Sequence, residues 1–196
     1  MKIGIYCGVK TGKVKDLEID YIGVDHGVEH LLSQGIKPIF AIGDMDSIEN
    51  KKSLKNLHVQ EVSSIKDDTD TALAIAYAIK QGYDEIDLYG VTQKRMDHFI
   101  AVLCLLERYR EYHITIFDEF NKIYVLEPGI HQVMKDNYKY FSVFAFDESI
   151  VTLKECHYPL YQYHLLRNDP LCVSNQMNNG FAIIENSSWI IVIQSQ

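Results

Sequence analysis

Over residues 1–121, short apolar runs alternate with amphipathic stretches. Residues 2–7, 21–24 and 39–42 are brief runs rich in Ile, Val, Tyr and Phe, the signature of strands. After the second run, Val28, Leu31 and Leu32 form a helical stripe that Gly35 closes, and Pro38 resets the chain. Residues 48–57 are polar and Lys-rich, which predicts an exposed helix, and 58–62 predicts a strand. Asp68-Thr69-Asp70 offers several caps for a helix running to Lys80, with Leu73, Ala76, Tyr77 and Lys80 on one face and Gly82 at its end. A strand over 86–89 precedes Gly90. Asp97 then starts a long apolar helix through Leu106, and 113–117 is the last strand of the series. Repeated strand–helix units imply an α/β domain with a mostly parallel, doubly wound sheet covered on both faces.

The pattern changes from Lys122 onward. Strand-like runs at 123–126, 138–146, 150–153, 181–184 and 189–193 follow one another without a helical stripe. Pro128-Gly129, Asn178-Asn179-Gly180 and Asn186-Ser187-Ser188 supply turns between them. This half is expected to be a C-terminal antiparallel β-sandwich. The expected domains are 1–121 and 122–196, tightly packed, since no low-complexity linker separates them and no internal repeat is visible.

Composition narrows the partners. Of 196 residues, 47% are hydrophobic and 23% charged, ordinary for a globular protein with a core. A net charge of −8 argues against a nucleic-acid partner, because phosphate backbones demand a surplus of Lys and Arg. No apolar run approaches the ~18 residues of a membrane span, and the first residues look like a strand rather than a secretion signal. The expected location is the cytoplasm, with no membrane partner. Cys7, Cys104, Cys156 and Cys172 form no CxxC pair, so reduced, buried thiols are expected rather than disulfides or zinc.

Candidate chemistry lies in the acids. Asp25 ends one strand, and Gly43-Asp44-Met45-Asp46-Ser47 follows the next. Lys66-Asp67-Asp68-Thr69-Asp70 precedes a helix, and Arg95-Met96-Asp97-His98 opens another. Each group alone also suits a plain turn or helix cap. Together they fall at the carboxyl ends of the strands, where open α/β sheets bind ligands. Carboxylates gathered there hold Mg²⁺, and Mg²⁺ bridges polyphosphate oxygens. Gly43 permits close backbone approach, Arg95 and Lys66 neutralise phosphate, and helix starts at Asp70 and Asp97 aim N–H groups at one place. Neither GxGxxG nor GxxxxGK[ST] nor GxSxG occurs where it would be needed. His26 and His30 lie four apart without HExxH, which suits a helix face better than a metal site.

These motifs, in this order, resemble the thiamine pyrophosphokinase family. Its pattern is an acid-Gly-Gly turn, Gly-Asp-Phe-Asp-Ser, a Lys-Asp-x-Thr-Asp helix start and Gly-Gly-Arg-x-Asp-His before a long helix. Here they stand as Asp25-His26-Gly27, Gly43-Asp44-Met45-Asp46-Ser47, Lys66-Asp67-Asp68-Thr69-Asp70 and Gln93-Lys94-Arg95-Met96-Asp97-His98. Tyr158-Pro159-Leu160 and Ser174-Asn175 match motifs of the family's sandwich. Gln93-Lys94 replaces Gly-Gly, His26 stands where glycine is usual, and Val102 where an Asn falls.

The resemblance implies a homodimer that moves the pyrophosphoryl group of ATP to the hydroxyl of thiamine and releases AMP. It implies that Asp44, Asp46 and Asp70 hold Mg²⁺ and phosphates, with Asp97 nearby. Asp25, Ser47, Lys66, Thr69, Arg95 and His98 would serve ATP. Tyr158, Ser174 and Asn175 would form the thiamine pocket, across the dimer interface. Three alternatives stay open on the residues themselves. A phosphatase could use Asp44 and Asp46, a related pyrophosphokinase could act on another alcohol such as a pterin, or the protein could bind nucleotide or thiamine without turnover.

Overall fold

The computed structural model describes residues 1–43, 58–61 and 68–196, the second of these by backbone alone. The helix expected over 48–57, and the last residue of the 58–62 strand, lie outside the described residues. The chain divides into two compact units, Met1–Arg108 with Tyr112–Glu119, and Tyr109–Glu111 with Phe120–Gln196.

The first unit is built on β1 (Lys2–Tyr6), β2 (Asp20–Val24), β3 (Phe40–Gly43), β4 (His58–Glu61), β5 (Glu85–Tyr89) and β6 (His113–Phe117). They lie in the order β4-β3-β2-β1-β5-β6, and every pairing is parallel. In β1, β2 and β5 all residues but the first are buried, as a sheet covered on both faces requires. Three helices complete the described part: α1 (Gly27–Ser33), α2 (Asp70–Lys80) and α3 (Met96–Arg108). Right-handed crossovers place α1 on one face of the sheet and α2 and α3 on the other. The winding therefore reverses at the β1–β5 join.

α2 turns a different face inward from the one the sequence marks. Ala72, Ala74, Ile75 and Ala78 are buried. Ala76 and Lys80 are exposed, and Tyr77 stacks on Phe40 with ring centroids 4.1 Å apart. Small alanines let the helix sit close to the strands, so apolar size misleads as a guide to its inner face. Cys104 also departs from expectation. It is exposed, because α3 buries Val102, Leu105 and Leu106 instead. Cys7, Cys156 and Cys172 are buried, and all four are free thiols.

The second unit holds two antiparallel sheets. One is β7 (Asn121–Leu126), β13 (Ile190–Ser195) and β9 (Tyr140–Ala145), in that order. The other runs β11 (Leu160–Leu166), β10 (Glu148–Lys154), β12 (Phe181–Asn186), β8 (Gly129–Met134). Phe141, Val143, Ile190 and Val192 of the first share one core with Val151, Leu153, Ala182 and Ile184 of the second. That is a sandwich. The turn at Asn186 carries the chain between sheets, its amide donating to the carbonyls of Glu127 (2.8 Å) and Ser188 (2.9 Å).

β8 and β11, which no strand-like run in the sequence marks, are the two edges of their sheet. Each buries a single residue, Val133 and Leu165 respectively, so no alternation marks them. Phe141 lies at the centre of the shared core and is fully buried. Phe141→Ala is expected to cost about 3–5 kcal/mol. Trp189, the chain's one tryptophan, belongs to this unit, so its fluorescence during urea unfolding reads the loss. An unchanged midpoint would mean that the two sheets do not depend on a common core.

Candidate active site

The site begins where β1 and β5 end. Tyr6 and Tyr89 are register partners, stacked with centroids 5.7 Å apart and buried with Tyr21. Beyond them the chain leaves the ladder, and the phenols hold it. Tyr6 accepts from the Thr11 N–H (3.1 Å) and donates to the Gly12 carbonyl (3.0 Å), while Tyr89 accepts from the Lys15 N–H (3.1 Å). Thr11, itself buried, accepts from the Gly90 N–H at 2.9 Å. Gly90 sits at φ +72°, and a Cβ there would fall 2.5 Å from the Cys7 carbonyl oxygen, so only glycine fits.

Between these strand ends opens a cleft of about 650 Å³. It is lined just past β1 by Cys7, from the turn after β2 by Asp25 and His26, and from the start of α2 by Asp68, Thr69 and Asp70. The turn into α3 contributes Gln93, Lys94, Arg95 and His98. Asp25, Thr69, Asp70, Arg95 and His98 are therefore brought together. Asp44, Asp46, Ser47 and Lys66 lie outside the described residues. Gly43, just before Asp44, has φ +145°, and a Cβ on it would stand 2.0 Å from Asp25 Oδ1. The strand that leads to Asp44 thus ends against the Asp25 carboxylate.

Several of these side chains already hold their neighbours. Thr69 is the N-cap of α2, accepting from the Ala72 N–H at 3.2 Å. Asp68 pairs with Arg108 at 2.6 Å, tying the start of α2 to the end of α3. His26 Nδ1 lies 3.2 Å from Glu29 Oε2. Asp97 does not line the cleft. Its carboxylate takes two hydrogen bonds from Arg95, Nε at 3.1 Å and Nη2 at 2.5 Å. His98 is exposed and lines the opening. On the cleft floor, burial pushes the Cys7 thiol up to about 12, and its Sγ lies 3.5 Å from Thr71 Oγ1, so it stays a neutral thiol.

In the sandwich, Tyr158, Ser174 and Asn175 come together as a second constellation. Asn175 is only 3% exposed. Its Oδ1 accepts from the Tyr158 N–H (3.0 Å) and the Gln176 N–H (2.9 Å), and its Nδ2 donates to the Tyr158 carbonyl (2.8 Å). Its amide is spent on backbone, so Asn175 positions Tyr158, whose ring is 67% exposed. Ser174 has φ +59°, its N–H bonded to Ser142 Oγ at 3.0 Å.

Sequence reasoning missed Cys7, Thr11 and the two phenols. The one signal for the phenols was a tyrosine at the end of each of two apolar strands.

A doubly wound parallel sheet, with acids, helix starts and cations converging on its carboxyl edge, defines a nucleotide- or polyphosphate-handling α/β class, here followed by a β-sandwich. Residues 16–117 match "Thiamin pyrophosphokinase, catalytic domain" and residues 130–191 match "Thiamin pyrophosphokinase, vitamin B1 binding domain". The chain belongs to the thiamin pyrophosphokinase family. It is 37% identical over 184 residues to the thiamine pyrophosphokinase of Bacillus subtilis (strain 168), covering 88% of this chain and 85% of that protein. The crystal structure of a B. subtilis thiamine pyrophosphokinase superposes with a TM-score of 0.90 at 31% identity, over 100% of this chain and 99% of that one. That of the Geobacillus thermodenitrificans protein gives 0.89 at 31% identity, over 100% and 98%. The yeast thiamin pyrophosphokinase, at 11% identity and 0.79 over 99% and 86%, shares the fold.

The Arg95 guanidinium holds the Asp97 carboxyl at about 2, below the ordinary carboxylate range. A depressed folded value means that the pair is intact above the unfolded carboxyl value of ~4 and is lost as pH falls through about 2. Carbon-detected NMR of the Asp97 carboxyl is expected to titrate near that value and to move up in Arg95→Gln. Titration of the wild type at ~4 would show that the pair does not persist in solution.

Proposed function

We propose that this chain transfers the pyrophosphoryl group of ATP to the primary hydroxyl of thiamine, giving thiamine diphosphate and AMP. One observation carries it: a cleft at the carboxyl edge of a parallel sheet, walled by Asp25, Asp70 and Arg95, in a chain that matches the family's catalytic and vitamin B1 binding domains in sequence order. In this reading residues 1–121 bind ATP and carry the chemistry, and residues 122–196 bind thiamine. The phosphatase, pterin and binding-only readings have no observation in their favour.

The donor set suits Mg²⁺. Among the described residues no three His, Cys, Asp or Glu cluster as a metal centre by themselves. The cleft's Asp25 and Asp70 offer hard carboxylate oxygens, and Asp44 and Asp46 follow Gly43, the last residue of β3, in the sequence. Asp44, Asp46 and Asp70 would hold the ion, and when bound it supplies charge neutralisation to the triphosphate.

The protein's own groups do the rest. At the starts of α2 and α3 the first-turn N–H groups have no intrahelical carbonyl, and those that Thr69 and Asp97 do not cap receive phosphate oxygens. Thr69 fixes the start of α2, and Asp97 holds the Arg95 fork in place, so Asp97 acts as a positioning residue. Ser47, Lys66 and His98 complete the phosphate contacts. The thiamine hydroxyl oxygen bonds to the β-phosphorus, and the bond from that phosphorus to the α–β bridging oxygen breaks. AMP leaves with the electron pair. The hydroxyl proton passes to Asp70, since a carboxyl held near 2, as in Asp97, is a poor base. Tyr158 and Ser174 contact thiamine, with Asn175 holding Tyr158.

The working form is a cytoplasmic homodimer with the thiamine site at the interface of two copies. Exposed Tyr158, Tyr161, Leu171 and Val173 on the sandwich favour such an association, and no helix among the described residues is long and apolar enough to cross a membrane. Incubation with ATP, Mg²⁺ and thiamine, followed by chromatography, is expected to yield AMP and thiamine diphosphate in equal amounts. AMP without a thiamine product would point to a different acceptor. Asp46→Asn and Asp70→Asn are each expected to lower turnover roughly 10²-fold or more, and a fall under about threefold would remove that residue from the site.

A further inference from the structure

Among the described residues of the first unit, three that are not glycine have a left-handed backbone: Asp25 (φ +51°), Gln93 (φ +69°) and Lys94 (φ +57°). All three line the cleft. Gln93 and Lys94 are consecutive, in the turn between β5 and α3. Each pays strain, because an L side chain in this region crowds its own backbone. Thr92, just before them, is buried, and its hydroxyl has no hydrogen-bond partner among the described residues. A turn this unfavourable persists where it places something.

What it places is Lys94. Arg95, the next residue, gives one edge of its guanidinium, Nε and Nη2, to Asp97. Arg108 is committed to Asp68. Lys94 is exposed on the cleft and makes no ion pair or hydrogen bond with any described residue. A cleft walled by carboxylates repels a polyphosphate, and a single divalent ion does not cancel both sets of negative charge. A lysine that is free to turn its three donors inward meets that need.

We propose that Lys94 binds the β,γ end of the nucleoside triphosphate, and that the left-handed Gln93-Lys94 turn aims it there. The inference rests on the nucleotide reading of the cleft given above. It assigns ground-state binding of the polyphosphate tail, so its loss falls on KM for MgATP more than on kcat, and leaves affinity for AMP and KM for thiamine alone.

Titration calorimetry tests it with the magnesium complex of α,β-methylene-ATP, with inorganic tripolyphosphate and with AMP. Lys94→Gln is expected to weaken both polyphosphates about tenfold while AMP binding holds, and Lys94→Arg to regain most of the loss. Lys94→Gly is expected to weaken them equally and yet raise the thermal midpoint, since glycine relieves the strain. A merely structural lysine would move affinity and midpoint in the same direction. Triphosphate affinity of Lys94→Gln within about twofold of wild type, or equal losses for AMP, would overturn the assignment and leave the cleft a nucleotide site. Wild-type protein that binds none of the three probes would overturn both.

Discussion

The parallel pairing of β1 with β5 is the constraint from which the site follows. Strands are added to one side of β1 through β2 and β3, and to the other through β5 and β6, so the loops leaving β1 and β5 diverge. The gap between them is geometric, and no particular side chain creates it. Keeping it open is a different matter, because two loops that leave a ladder lose their backbone partners and must find others. Tyr6, Tyr89 and Thr11 provide them. Each tyrosine buries its ring in the aromatic cluster of the first unit and spends its hydroxyl on the loop above. Packing and site are thereby one system, and a disturbance to the stacked rings reaches the cleft without touching a cleft residue.

The charged groups around the opening sort into those that face it and those that hold others in place. Asp25 and Asp70 face it, Asp97 holds Arg95, and Asp68, which also lines it, holds Arg108. Both of these pairs are largely exposed, so their contribution to stability is small. Their value is directional: a guanidinium gripped by a carboxylate keeps its remaining N–H groups in a fixed orientation. The sandwich repeats the arrangement without charge. Asn175 is buried and fully bonded so that Tyr158 is held at the surface.

Much of this was legible in the chain. Strands buried on both faces produce largely apolar runs, and β1, β2 and β5 were visible for that reason, while β6 showed its alternating Ile114 and Ile116. Asp25 and Asp70 were visible because a strand end or a helix start fixes where a residue lies in an α/β sheet. Edge strands β8 and β11 were not, since each buries one side chain and shows no period. The inner face of α2 was misleading because closeness there favours alanine over larger apolar residues. The roles of Thr11, Tyr6 and Asn175 depend on partners five to seventy-nine positions away, or on an isolated bridge such as Phe141 to Asn175, which local pattern cannot encode.

Within the first unit, the described residues other than glycine that have positive φ all lie at the carboxyl edge of the sheet. Asp25, Gly43, Gly90, Gln93 and Lys94 all have positive φ, and all lie at the carboxyl ends of the strands. Gly43 and Gly90 answer to sterics, since a Cβ at either would meet an oxygen at 2.0 or 2.5 Å. Asp25, Gln93 and Lys94 do not have that excuse, because glycine would take the same conformation at lower cost. A side chain kept at the cleft edge where glycine would cost less is a candidate for work in the cleft. For Asp25 that is the carboxylate set against β3. For the turn before α3 the only side chain with charge and without a described partner is Lys94, which places its function in the cleft and its cost in the scaffold.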